Sequence, residues 1–322
     1  MSRIAVIGIG AVGCRILDAW AGADEEMPPH LAMHTDRAFT DSCRAENRML
    51  LGRDMLRGLS TGGDVSLARE AFQQDRNAVA EWVDGTDVLY LVAGLGGGTG
   101  TAVSREAAEL ARGQGALVIA FVTLPFFFEG QEKRRRADEG LRALKESADA
   151  VIVLPNQRMN DWAGEETPLA ETFDRVNQMV IHNVRAMIGI LRRPGVLSLN
   201  FSDFRQMITH SGGVCVMGYG EGRGTHRVDE AVQMVRNNPV LGREDVLRKA
   251  GGLLVGITGG PRLSLSEVER IMSAVTDVSH PDVHLFMGAA VNDAWDDRVG
   301  IAVLAAESWV EEVEPAADGG EG

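Results

Sequence analysis

Short runs of consecutive apolar residues alternate with segments of helical period through the first half of the chain. RIAVIGI (3–9), LAMH (31–34), VLYLVAG (88–94), ALVIAFVT (116–123) and AVIVLP (150–155) are apolar almost throughout. Strands with that pattern belong to a parallel sheet covered on both faces, because a half-solvated strand alternates polar with apolar positions. Helical patterns begin near Val12 and Gly100, and polar turns follow LAMH. A doubly wound, Rossmann-like α/β domain is predicted.

From Pro168 to Arg193 the pattern changes. Phe173, Val176, Met179, Val180, Val184, Met187 and Ile190 recur at helical spacing, with no glycine before Gly189. One helix of about seven turns is expected at 3.6 residues per turn, closed by Arg192, Arg193 and Pro194. A helix this long after the sheet is a natural bridge between domains. Beyond it GGVCVMGYG, GGLLVGITGG, VHLFMGAA and VGIAVLAA read as four strands, with helices near 228–237 and 266–278. They predict a smaller α+β domain.

Composition narrows the possible partners. Lysine and arginine total 32 against 46 acidic residues, for a net charge of −14, a surface that repels polyanions, so nucleic acid is not an expected partner. A chain of 322 residues with 45% hydrophobic and 24% charged residues is long enough for two folded domains. No apolar run reaches bilayer length and the N-terminus lacks a basic region before a long apolar one, so a cytoplasmic protein without a direct membrane segment is expected. Cys14, Cys43 and Cys215 are widely spaced with no CxxC pair, which indicates neither a disulfide framework nor a zinc site. Cys14 follows Gly13 at a helix start, a position compatible with a lowered thiol pKa, but buried small-residue packing is the expected role.

Two glycine-rich turns carry the candidate chemistry. GIGAVG, residues 8–13, follows the first strand and opens a helix, where free amides and the helix dipole favour a phosphate. Read alone it is the dinucleotide fingerprint, with Asp36 placed as the ribose-binding acid of a nicotinamide-dependent oxidoreductase. A tight turn without a ligand satisfies it too. GLGGGTGT, residues 94–101, holds five glycines and two threonines after a second buried strand. A simple turn needs one or two glycines, so five point to backbone amides packed around an anion. Neither loop carries the GK[ST] of a Walker A motif, which leaves phosphate charge to amides, dipoles and Mg2+.

GLGGGTGT resembles the glycine-rich signature of the tubulin and FtsZ superfamily, and the surrounding order resembles bacterial FtsZ over about residues 3–306. HTD (34–36) is similar to the family's NTD, GLSTGGDV (58–65) to its third glycine-rich loop, and VTLPFFFEG (122–130) to VTxPFxFEG. LPN (154–156), the long helix and PGVLSLNFSDFRQM (194–207) follow in family order.

The resemblance implies a tubulin/FtsZ fold binding GTP or GDP with Mg2+. Gly96, Gly97, Gly98, Thr99 and Gly100 are implied to cradle the phosphates, joined by Gly10 and Gly13 of the first loop, with Ala11, Cys14, Asp36 and Thr101 as further nucleotide-binding residues. Gly62 and Gly63 are implied to lie near the terminal phosphate as a sensing loop. Glu129, beside Pro125, is implied to accept from the ribose, Lys133 to bring a cation, Asn156 and Asn177 to reach the guanine edge, and Phe173 to stack on it. Read without the family, Phe173 fits a core position, Asn177 a solvated helix face, and the KRRR cluster at 133–136 an exposed one.

The family's mode of action is implied as well: a head-to-tail homopolymer in which the loop after the central helix completes the next copy's GTPase site, as in cell-division FtsZ. That loop reads NxDxxD in the family and has Ser198, Asn200 and Asp203 at those positions here. Asp203 is the expected catalytic residue and also suits the N-cap of the following helix. Asn200 replaces a carboxylate by an amide, which cannot accept a proton at neutral pH, so slower water activation is expected. A GTP-binding scaffold that hydrolyses slowly is the alternative. Arg15, His34 and Ala102 depart from the family's asparagines and glycine. The expected division is 1–167 for the GTP-binding domain, 168–193 for the connecting helix, 194–211 for the catalytic loop and following helix, 212–308 for the C-terminal domain and 309–322 for a disordered acidic tail. With no tether-like peptide in that tail, adaptor proteins or FtsZ-type partner filaments are the expected further partners.

Overall fold

The computed structural model describes residues 3–21, 27–158, 166–192, 204, 207, 214–242 and 244–306. Its centre is one sheet of ten strands in the order β3-β2-β1-β4-β5-β6-β7-β10-β8-β9. Strands β1 (Ile4–Ile9), β2 (His30–His34), β3 (Asn47–Leu50), β4 (Val88–Gly94), β5 (Leu117–Leu124) and β6 (Ala150–Pro155) are all parallel. Each apolar run serves two cores, as a strand buried on both faces must. In β1, Ile4 and Val6 join the core under α1 (Gly10–Ala21) and α7 (Leu169–Arg192). Ala5, Ile7 and Ile9 join the one under α4 (Val65–Val83), α5 (Gly98–Gly113) and α6 (Gln131–Ser147).

The polar stretch after LAMH holds more structure than its pattern predicts. Besides α4 it contains α2 (Arg37–Ser42), β3 and α3 (Arg53–Leu56). Strand β3 is NRML, an edge strand with no fully buried residue, so it lacks the apolar run that marks the inner strands. Helices α1 and α5 each begin two residues before the expected starts, inside the glycine loops themselves.

The predicted long helix is present as the 24-residue α7, and it spans two cores. Val180, Ile181, Val184 and Met187 pack into a core that Trp20 and Val92 of the first unit share with Met217 and Leu304 of the second. Val176 belongs to the second unit's own core, and Met179 touches both. The second unit comprises β7 (Val214–Arg223), α8 (Arg227–Arg236), α9 (Glu244–Lys249), β8 (Gly252–Gly259), α10 (Leu265–Thr276), β9 (His284–Val291) and β10 (Arg298–Ala306). Its strands continue the first sheet: β7 pairs parallel with β6 through Val151 with Val214 and Ile152 with Cys215. Strand β10 then lies antiparallel between β7 and β8.

Candidate functional site

The chain leaves β1 toward β2 and β3 on one side and later fills β4, β5 and β6 on the other. The sheet therefore has a switch point between β1 and β4, the place where open α/β sheets bind ligands beyond the carboxyl ends of their strands. A cleft of about 280 Å³ lies there, walled by the loops after β1, β2, β4, β5 and β6. A larger cavity of about 430 Å³ sits elsewhere, between α7 and the β8–β10 strands. Its walls are helix side and sheet, so the smaller cleft is the one that loop amides can make an anion site.

Two helix N-termini converge on this cleft. The first amides of a helix have no partner within it, and those of α1 begin at Gly10 and those of α5 at Gly98. The loops touch: Gly10 has φ +73°, and a Cβ there would stand 3.0 Å from the Gly100 nitrogen. At Gly100 a Cβ would stand 2.2 Å from the Gly94 carbonyl oxygen, and at Gly98 it would stand 2.3 Å from the Thr61 hydroxyl. Gly97 and Gly62 have nothing within 4 Å of a Cβ position. The loops are thus closed behind and open toward the cleft, the shape an anion cradle requires. Lys133 closes the back of Gly96, whose φ is +102°, with its carbonyl 2.7 Å from a Cβ there.

Of the expected residues, Gly10, Ala11, Gly62, Gly63, Gly97, Gly98, Thr99, Gly100, Pro125, Glu129, Lys133, Asn156 and Phe173 line the cleft together. Others stand behind or outside it. Gly13 is needed for helix-to-strand packing, since a Cβ would meet the Val92 carbonyl at 2.4 Å. The buried Cys14 thiol donates to the Met33 carbonyl, the Cys43 thiol donates to the Cys14 carbonyl, and the neighbouring Cys43 thiol together with burial raises the Cys14 pKa rather than lowering it. Asp36 caps α2, its carboxylate accepting from the Ala38 amide at 2.8 Å. It stands off the cleft wall, where the ribose acid of the dinucleotide reading was expected. The Thr101 hydroxyl accepts from the Gly96 amide at 2.8 Å and so shapes the loop. Asn177 is half-buried on α7 and Gly96 lies behind the cradle; neither is on the wall. Asn200 and Asp203 lie outside the described residues.

Several wall residues are given no role by the motifs that hold them, and Phe39 belongs to none. His34 stacks on Phe39 with ring centroids 4.8 Å apart, and both face the cleft. Burial lowers the His34 pKa, an effect the nearby Asp36 only partly offsets. Its Nδ1 accepts from the Asp36 amide at 2.8 Å, so the neutral ring carries its proton on Nε2. Ser60, Thr61 and Thr123 add hydroxyls. Lys133 is ion-paired with Glu129, whose other oxygen accepts from the Phe126 amide at 2.8 Å. Phe173 meets Phe126 edge-on, 5.3 Å between centroids. Asn156 is buried in the same wall as Phe173, and among the described residues its side-chain oxygen has no partner. A buried acceptor left unpaired costs about 1–3 kcal/mol, a cost that a ligand donor removes.

Comparison with known proteins agrees with the fold. Residues 3–164 match the Tubulin/FtsZ family, GTPase domain, and residues 213–308 match the FtsZ family, C-terminal domain. An FtsZ dimer from M. jannaschii is similar at 25% identity with a TM-score of 0.81, covering 100% of this chain and 95% of its own. A tryptophan-to-tyrosine mutant of FtsZ from the same organism is 28% identical with a TM-score of 0.83, covering 95% of this chain and 91% of its own. CetZ2 from Haloferax volcanii, solved as a GTPγS-bound protofilament, shares the fold at 23% identity with a TM-score of 0.76, over 98% of this chain and 95% of its own. Glycine loops at a switch point, the central helix and both domain matches lead to one conclusion: the chain belongs to the Tubulin/FtsZ family, with the GTPase domain before the central helix and the FtsZ-type C-terminal domain after it.

Proposed function

We propose that this protein binds GTP in the cleft, assembles head to tail, and hydrolyses GTP where one copy meets the next. The observation that carries the reading is the convergence of the α1 and α5 N-termini on one cleft whose inner wall holds the unpaired Asn156 oxygen. Phosphates suit the helix ends, and the N–H groups of a guanine suit that oxygen. Thr99 and the amides of residues 97–100 hold the phosphates, Glu129 accepts from the ribose, and Phe173 packs against the base. Mg2+ would offset phosphate charge, taking its oxygens from phosphate and water.

Water attack needs a group that orients the nucleophile in line with the leaving oxygen. We assign that role to Asp203 of the neighbouring copy, on the resemblance of 194–207 to the family's loop. The similarity to an FtsZ dimer and to a CetZ2 protofilament supports self-association. Phosphate release per subunit is then expected to rise with protein concentration, together with sedimentable polymer in GTP and Mg2+, and to be lost in Asp203→Ala. A rate independent of concentration with no polymer refutes this. Asn200 favours one alternative, a scaffold that assembles with GTP and hydrolyses it slowly. Stable filaments with negligible phosphate release select it.

A further inference from the structure

Helix α6 packs behind two glycine-rich segments of the cleft through a single face. Lys133, Arg136 and Gly140 are spaced i, i+3 and i+7, and so share a side of the helix. The Lys133 carbonyl backs Gly96, and Gly140 lies so near α5 that a Cβ would stand 2.3 Å from the Thr101 methyl. Between them the Arg136 guanidinium donates from Nη1 to the Gly63 carbonyl at 2.7 Å. A Cβ at Gly63 would stand 2.2 Å from that nitrogen; the φ of +92° is what favours glycine there, and the guanidinium lies directly against it.

Arg136 differs from its neighbours in how its charge is met. Lys133 pairs with Glu129, Arg135 with Glu132 and Glu139, and Arg134 lies over the Phe127 ring at 5.1 Å. Arg136 has no ion pair among the described residues, and its buried Nε has no hydrogen-bond partner. A half-buried cation in no ion pair among the described residues, with Glu132 one turn away as a weaker electrostatic neighbour, therefore stands directly behind the loop 60–64, whose Ser60, Thr61, Gly62 and Gly63 line the cleft. It fixes that loop by a charge-assisted bond and adds positive potential on the side away from the ligand.

We infer that Arg136 is the positioning residue that lets the cleft distinguish a nucleoside triphosphate from a diphosphate. It holds the Gly63 carbonyl turned toward α6, which keeps the loop's amides available for the terminal phosphate. This rests on the reading of the cleft as a GTP site with loop 60–64 near that phosphate. A diphosphate does not reach the loop, so Arg136 leaves its affinity unchanged.

The test compares the unchanged chain with Arg136→Gln and Arg136→Lys, at concentrations where light scattering shows monomer. Affinities are measured for GDP and for GTPγS, with hydrogen exchange of amides 60–64 in the nucleotide-free protein. Expected for Arg136→Gln is a loss of about tenfold in GTPγS affinity, the scale of one charge-assisted hydrogen bond, with GDP affinity within about twofold. Exchange at 60–64 rises, and Arg136→Lys, which keeps the charge without the planar fork, falls between. Equal loss for both nucleotides, or no change in exchange, overturns the assignment and leaves the GTP reading standing. Failure of the unchanged chain to bind either nucleotide overturns both.

Discussion

The hydroxyls of Thr35 and Thr99 lie 2.8 Å apart, both buried, and join the end of β2 to the first turn of α5. One of them donates. If Thr35 does, the Thr99 proton stays free for a phosphate oxygen, and the second loop is held over the same cleft. Thr35→Val removes that donor with little change of shape. A loss of about three- to tenfold in GTP affinity is expected, the scale of one net hydrogen bond, read by calorimetry at fixed salt.

In the proposed GTP site Asn156 is the base-side counterpart. Its unpaired oxygen sits in a wall that also holds Phe173. Asn156→Ala should weaken GTP and GDP alike by about tenfold, because both carry the base, while lifting a desolvation cost from the empty protein. Thermal unfolding without nucleotide is expected to be unchanged or higher, and a preferential loss for GTP would contradict the placement.

Glycines of the loop separate into two kinds. At Gly100 a methyl would meet the Gly94 carbonyl at 2.2 Å, whereas at Gly97 it meets nothing within 4 Å. Gly100→Ala is expected to destabilise by about 1–3 kcal/mol through overpacking. Gly97→Ala, with φ −84° at the N-cap, should cost at most about 1 kcal/mol in stability, the difference between glycine and alanine at such a cap, yet obstruct the open side of the cradle. Denaturation midpoints and nucleotide titrations on the two variants distinguish these roles.

Acid stability has an identifiable source in the second unit. Arg227 donates to both oxygens of Glu267, at 2.8 and 2.9 Å, and this, with the Ser264 cap, holds the Glu267 carboxyl down to about 2 from its ordinary 4.5. The folded pKa lies below the unfolded one, so the contribution is complete above pH 4.5 and disappears as pH falls toward 2. Glu267→Gln is expected to lower the urea midpoint at pH 7, and its difference from the unchanged chain should narrow steadily between pH 4.5 and 2.

The sequence by itself determined the parallel core strands, the long helix and the two glycine loops, because each leaves a local mark: unbroken apolar runs, a helical period, or more glycine than a turn needs. It placed most of the cleft wall by motif order. It did not separate Gly10, which lines the cleft, from Gly13, which packs on Val92, since both serve the same turn. Nor did it show that the Cys14 thiol faces Met33, that Asp36 caps a helix, or that Phe39 joins His34 at the wall. Those outcomes depend on contacts between segments distant in the chain. Only the tertiary structure decided that the second unit's strands extend the first sheet, through two residue pairs between β6 and β7, and that Arg136 reaches across 73 positions to Gly63. A helix-face arginine carries no sequence mark of its target; packing of α6 over both loops supplies it.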